Sequence, residues 1–529
     1  MLRRLIGVTI SMLALGCGSN DNTTDAPDAD AARDAFESIP IGPDVVGDDG
    51  PVRGVVDGEL IVFKGIPFAA APIGALRFAP PTRPAPWTSV RDTNAFGPAC
   101  PQTIAADAAP LPRDEDCLSV NVWTHRIGAP RPVLMWIHGG GYVEGSARFA
   151  TYDGAELARR TGLTVVSINY RVGLLGFLAL PQLTAADGGT GNWGLRDQIA
   201  ALDWVQRNIQ RFGGDRAHVM IAGESAGGAS ICTLLASPLS QGKFQAAAMQ
   251  SGNCSLVLEK NAPTGNFPSA FGAGQSTAIA LNCIAGDIAT CLRNKPVADM
   301  LTVQGQLVGS SDVGVPVGPT LPIVDGVVLD QRPLAALRAG RGNVPIIAGV
   351  NRDDTSAFVF QAIPEQPGAF AAYLDSIGRS AEKTALLTMY PPATLTELGA
   401  GIAYTTDVAF ACPALALANM HPSTSYLYEL VRPASNGPLA FLGAFHGLDF
   451  LHLFGTYAEF GIAPDAGDAL LRATMEKAWA DVAAGRVPTV QPPWLPAPSH
   501  LALDATSANS PTWRNGHCAQ LQDLGVLRP

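Results

Sequence analysis

The sequence predicts an α/β fold, a mostly parallel central sheet with helices on both faces, and three observations carry that prediction. Runs rich in β-formers and apolar throughout recur along the chain, amphipathic helical patterns lie between several of them, and glycine-rich turns follow two of the runs directly. A strand with no polar alternation is one that is covered on both faces, the condition of a parallel sheet.

The chain opens with MLRRLIGVTISMLALGC, residues 1–17. Arg3 and Arg4 precede a short apolar run that ends at Gly16 and Cys17, the layout of a signal peptide and too short to span a bilayer as a mature helix. ALGC resembles a bacterial lipobox with Ala14 where leucine is more usual, so Cys17 is expected to carry a lipid. The stretch that follows is rich in Asp, Ala, Thr and Pro and cannot bury apolar area. Residues 18–47 therefore read as a tether, and residues 48–529 as one large domain with no internal repeat and no second boundary.

Within that domain the expected strands are ELIVFKGI (59–66), LSVNVW (118–123), PVLMWIH (132–138), LTVVSIN (163–169), HVMIAG (218–223) and VPIIAGV (344–350). In residues 193–212 the apolar positions Leu195, Ile199, Leu202, Val205 and Ile209 step by three and four, which marks one buried helix face. The segment NAPTGNFPSAFGAGQS, residues 261–276, reads as a loop because of its Gly and Pro content.

Composition narrows the function classes. Of 529 residues, 47% are hydrophobic and 15% charged, a globular balance, and the net charge of -11 with no basic stripe excludes a nucleic-acid partner. Nine cysteines are present. Cys100 with Cys117, and Cys283 with Cys291, bracket short loops that a bridge could close, while no Cys/His cluster has zinc spacing. A disulfide framework in an oxidising compartment is expected, with no metal.

The chemistry is concentrated in GESAGG, residues 223–228. The surrounding sequence reads strand, turn, helix, with Ser225 at the turn in the pattern G-x-S-x-G. Gly223 and Gly227 lack the side chains that would collide where the backbone folds tightly around an outward-pointing serine. An acyl-transfer site also needs an oxyanion hole, which backbone amides of glycines supply well. WIHGGGYVEGSA, residues 136–147, places three glycines past a strand; Gly140 and Gly141 N–H groups, with Ala226 N–H at the helix start, are the expected donors. The base follows the serine in chain order. His446 in LGAFHGLDFLHLFG is flanked by small Gly443, Ala444 and Gly447, whereas His452 lies in an apolar stretch and reads as structural. For the acid, Asp353 and Asp354 both follow the strand at 344–350, and the residues alone leave the choice open. Glu224, beside the serine, is expected to be exposed to water. Activity is expected to rise through the range where a histidine of ordinary pKa, about 6.5, loses its proton.

FKGIPFAAAPIGALRFAPP, EDCLSVNVW, WIHGGGYVEGS, SINYRVGLLGFL, GNWGLRDQIAALDWVQRNIQRFGGD, GESAGG, GVNRDD and GAFHGLDF occur in the order found in type-B carboxylesterases. The chain thus resembles the cholinesterase-like branch of the α/β-hydrolases from about residue 50 to its C-terminus. The resemblance implies Ser225 as nucleophile, His446 as base and Asp354 as acid. Most members carry glutamate at that last position, so Asp353 stays as an alternative. It also implies bridges Cys100–Cys117, Cys283–Cys291 and Cys412–Cys518, with Cys232 and Cys254 unassigned, and a loop of about 15 residues would contribute about 3 kcal/mol.

The implied activity is hydrolysis of a small-molecule ester through an acyl-enzyme, with no cofactor. Cholinesterases hold their cation on a tryptophan in the loop before the EDCL cysteine; here residues 101–116 contain no aromatic residue. Uncharged esters are therefore expected. The fold also serves as a non-catalytic adhesion module, but such a module has no reason to keep serine, histidine, acid and glycine turn together. A lipase would need an apolar lid, and neither 261–276 nor 100–117 is strongly amphipathic.

Overall fold

The computed structural model describes residues 42–103, 111–263, 268–307, 309–310, 316–317 and 320–527. The expected signal segment, Cys17 and residues 18–41 of the expected tether lie outside the described residues. Asp44–Val46 form a strand paired antiparallel with Pro51–Arg53, so the end of the expected tether belongs to the fold.

One sheet of eleven strands organises the domain. In chain order they are β1 Val55–Asp57, β2 Leu60–Pro67, β3 Ser119–His125, β4 Arg131–Ile137, β5 Thr164–Ile168, β6 Gly214–Glu224, β7 Ala246–Gln250, β8 Ile346–Asn351, β9 Ser425–Leu430, β10 His500–Leu503 and β11 Ala508–Ser510. Their order in space is β11-β10-β9-β8-β7-β6-β4-β5-β3-β2-β1. All pairings from β5 through β4, β6, β7, β8 and β9 to β10 are parallel, and those at the two margins are antiparallel. Every residue of β5, β7 and β8 is buried, as continuous apolar runs require when both faces are covered.

Helices α1 Trp193–Asn208, α2 Ala226–Ala236, α3 Ala270–Ala280, α4 Leu448–Phe454 and α5 Ala466–Ala483 concern the site or correct the sequence reading. The five apolar positions expected to face inward from residues 193–212 are all buried, with Ile209 in a 3-10 extension of α1. Two of the recognised motifs meet beside α1, where Arg171 and Asp197 form a bidentate buried ion pair with both contacts at 2.7 Å. A planar guanidinium fits a carboxylate in this way, and the pair needs that geometry to offset its desolvation.

The loop expected over 261–276 is corrected in its second half. Ser269 accepts a hydrogen bond from Gly272 N–H and caps α3, so residues from 270 onward are helical. Pro268 and the glycines argued for a loop, but the cap and the run of alanines outweigh them.

Four disulfides close the fold: Cys100–Cys117, Cys232–Cys254, Cys283–Cys291 and Cys412–Cys518. The second joins α2 to the segment after β7, a pairing that the sequence left open. Once Cys17 is assigned elsewhere, eight cysteines remain, and that even count was the available signal.

Candidate active site

Strand β6 and helix α2 meet at Ser225, which has φ 58 and ψ -122. A non-glycine residue pays in strain for a positive φ, and such strain recurs where a side chain must be held outward for function. Close packing enforces the turn: a Cβ on Gly227 would run into the Ile137 carbonyl oxygen, and one on Gly223 would lie 2.7 Å from Gly227. The chain can follow this path only with glycine at both places.

The glycine turn after β4 lies directly beside the serine. A Cβ on Gly139 would come within 3.0 Å of Ser225 Cβ. Gly140 and Gly141 have φ 104 and 60, and the Gly140 carbonyl accepts from both Val143 N–H and Glu144 N–H at 3.0 Å. Ala226 is the first residue of α2, so its N–H has no acceptor within the helix. Tyr142, next in the turn, is tied to α2 and α1 inside the core: Ser230 Oγ donates to Tyr142 Oη at 3.2 Å, and Gln198 Nε2 donates to Ser230 Oγ at 3.0 Å.

Across the sheet, β8 delivers the two aspartates to different environments. Asp354 is fully buried, with Oδ1 2.6 Å from His446 Nδ1, while Oδ2 accepts from Ser251 Oγ at 2.6 Å and from Asn351 N–H at 3.0 Å. Asp353 turns away, accepting from Ala444 N–H at 2.9 Å and pairing with Arg352 at 2.9 Å. His446 lies just before α4, as the small residues around it suggested, and its side chain is 13% exposed. His452, within α4, is buried with Nδ1 2.9 Å from Tyr457 Oη, and burial pulls its pKa down to about 4.

Glu224 departs from the sequence reading. It is buried, because β6 carries it below the turn, and its Oε1 lies 3.1 Å from His446 Nε2. The alignment is wrong for a hydrogen bond, so neither atom has a hydrogen-bond partner among the described residues. Burial drives the Glu224 carboxyl up to about 8 against the opposing pull of His446. Burial lowers the His446 pKa, but the charges of Glu224 and Asp354 and the bond to Asp354 outweigh it and bring it to about 9. The charges facing His446 thus favour a value above the ordinary 6.5 expected from the sequence. A further carboxyl, Asp449, lies buried behind the histidine, with Oδ2 accepting from Tyr428 Oη at 2.5 Å.

Two phenylalanines hold the imidazole. Phe410 is stacked on it, with centroids 5.0 Å apart and planes 23° from parallel; Phe358 meets it at 5.1 Å and 61°. Ser251, Phe358 and Phe410 carried no motif of their own, which is why sequence reasoning passed over them. Among the described residues, no group of three or more His, Cys, Asp or Glu side chains is arranged to hold a metal.

An eleven-stranded, mostly parallel sheet with a strained serine between strand and helix and a buried carboxylate on a histidine defines a serine hydrolase of the α/β-hydrolase fold. Residues 43–515 match the Carboxylesterase family. The chain is 33% identical over 460 residues to fumonisin B1 esterase of Sphingopyxis macrogoltabida, covering 83% of this chain and 81% of that one. It is 33% identical over 419 residues to para-nitrobenzyl esterase of Bacillus subtilis (77% and 81% covered) and 33% over 477 residues to liver carboxylesterase of Sus scrofa (80% of each). The chain belongs to the carboxylesterase family, whose activity is serine-dependent hydrolysis of carboxylic esters.

Proposed function

We propose that this protein hydrolyses uncharged carboxylic esters through an acyl-enzyme on Ser225. Ser225 Oγ attacks the ester carbonyl carbon as its proton passes to His446 Nε2. The tetrahedral oxyanion is held by the Gly140, Gly141 and Ala226 N–H groups, and the alcohol leaves with the proton from His446. Water then attacks the acyl carbon, giving its proton to His446, and Ser225 is regenerated. Asp354 fixes the imidazole tautomer and stabilises the imidazolium, the role of the acid in this constellation. The observation that carries the reading is the 2.6 Å contact between Asp354 Oδ1 and His446 Nδ1, with Asp354 following β8 and Ser225 following β6 of the same sheet.

The preference for uncharged esters rests on residues 101–116, which contain no aromatic residue to face a quaternary ammonium. An aryl ester of the kind named for the Bacillus relative is a suitable first probe. Ser225→Ala should abolish turnover and covalent labelling by an organophosphonate while the protein stays folded; turnover near the parent rate in that variant would overturn the assignment.

We further infer export. Four disulfides fit an oxidising compartment, and the N-terminal sequence supports a lipid on Cys17, with residues 18–41 as the tether. Gly18 after the cysteine supports delivery to an outer membrane. Detergent partitioning of the parent chain, lost in Cys17→Ser, tests the anchor, and recovery of the parent as a freely soluble protein would remove it.

A further inference from the structure

His446 sits between two competing partners. Its Nδ1 is fixed on Asp354, which leaves the imidazole free to tilt about that bond, and Glu224 Oε1 waits 3.1 Å from Nε2 but out of alignment. The two atoms are already at ion-pair distance, and a modest tilt would align them into a charge-assisted hydrogen bond. The base would then be held as imidazolium with its Nε2 committed to Glu224.

What opposes the tilt is aromatic. The Phe410 ring lies over one face of the imidazole, and the Phe358 ring meets it in a tilted-edge arrangement. Phe410 belongs to a π-helical turn, Asp407–Ala411, set between helices Glu397–Thr406 and Cys412–Met420. Such a turn adds a residue to the helical path and re-aims the side chains it carries, which is why π-bulges collect at functional sites. This one is clamped at both ends by the C-terminal segment. Asp407 accepts from Arg514 Nε at 2.5 Å and from Tyr390 Oη at 2.7 Å, Ala411 O accepts from Trp513 Nε1 at 3.1 Å, and Cys412 is bonded to Cys518.

We propose that Phe410 is a positioning residue, held over His446 by the π-helical turn so that the imidazole cannot tilt into an aligned hydrogen bond with Glu224 and Nε2 stays available to Ser225. The inference rests on His446 being the base. The acidic groups facing that histidine are Asp354 after β8, Glu224 at the end of β6 and Asp449 on α4. Of these, Glu224 is the one placed at Nε2.

The test is a double-mutant cycle of Phe410→Ala and Glu224→Gln, read as kcat, KM and the pH profile on a neutral aryl ester, with Phe410→Leu as a second variant that fills space without a flat face. With Glu224 present, Phe410→Ala should lower kcat by about 10- to 100-fold with KM changed less than about threefold, and move the midpoint of the acid limb upward. In the Glu224→Gln background the same substitution should cost no more than about threefold and leave the midpoint in place. Phe410→Leu should show the same pattern at smaller size, so the outcome does not depend on the alanine variant folding. An equal loss in both backgrounds with no change in midpoint would reduce Phe410 to packing and overturn the proposal. Retained turnover in His446→Ala would instead overturn the base assignment beneath it.

Discussion

Ser251 Oγ donates to Asp354 Oδ2 at 2.6 Å, on the carboxylate whose other oxygen meets His446. The proposed acid, Asp354, is one methylene shorter than the glutamate expected there from the family resemblance, and Ser251 secures its second oxygen. Hydrogen bonds to buried charged groups contribute about 1.5–3 kcal/mol. Ser251→Ala should therefore lower kcat/KM roughly tenfold or more, and Asp354→Asn should lower kcat by about 10⁴ as the wrong tautomer is stabilised. Asp353→Asn, whose carboxylate faces Ala444 and Arg352, should stay within about threefold. Steady-state kinetics on one chromogenic ester checks the ranking, and a larger loss at Asp353 would reverse the roles assigned to the pair.

His446→Ala and His452→Ala separate the base from a core histidine. The first should abolish turnover with little change in melting temperature. The second removes a buried ring bonded to Tyr457, so it should cost stability, about 1–3 kcal/mol, and leave kcat per folded molecule largely intact. Denaturant melts beside kinetics decide it.

The pH dependence follows from the two carboxylates facing His446. Only neutral imidazole can accept the serine proton, and a pKa raised to about 9 means that the neutral form appears at higher pH than for an ordinary histidine. Activity should thus keep rising above pH 7. Glu224→Gln removes one of the charges that favour the imidazolium and should move the midpoint down. A midpoint at or below 6.5 in the parent protein, or an upward move in Glu224→Gln, would contradict this electrostatic picture.

Much of the site was legible in the sequence because each legible part is a local backbone demand. A serine between a strand and a helix needs glycines at 223 and 227, and a close turn after β4 needs them at 139–141. Where the determinant is a side chain's depth or a contact across the chain, sequence was mute. Glu224 read as exposed because nothing local distinguishes a carboxylate below the turn from one above it. Asp354 was separable from Asp353 only through family likeness, since both follow the same strand and the bonds that divide them come from residues 251 and 444. The second half of segment 261–276 was misread because loop-favouring residues outnumbered one capping serine.

Charge discrimination offers a further check. A neutral ester and its isosteric choline analogue should have similar kcat/KM, with the neutral one equal or better, since residues 101–116 supply no aromatic face. Phe358 and Phe410 are occupied with His446. A hundredfold preference for the choline ester, about 2.7 kcal/mol, would require a cation site elsewhere in the chain.

The bond between Cys232 and Cys254 couples the helix that follows Ser225 to the stretch that carries Ser251. The proposed nucleophile and the support of the proposed acid are thereby braced by one oxidation event. Enzyme recovered from a reducing cytosol would lack this brace along with the other three, including the 106-residue closure between Cys412 and Cys518, which the chain-entropy model values at about 4.7 kcal/mol. Turnover measured on such material reports how completely the thiols have matured, so a thiol count belongs beside every specific activity quoted for recombinant preparations.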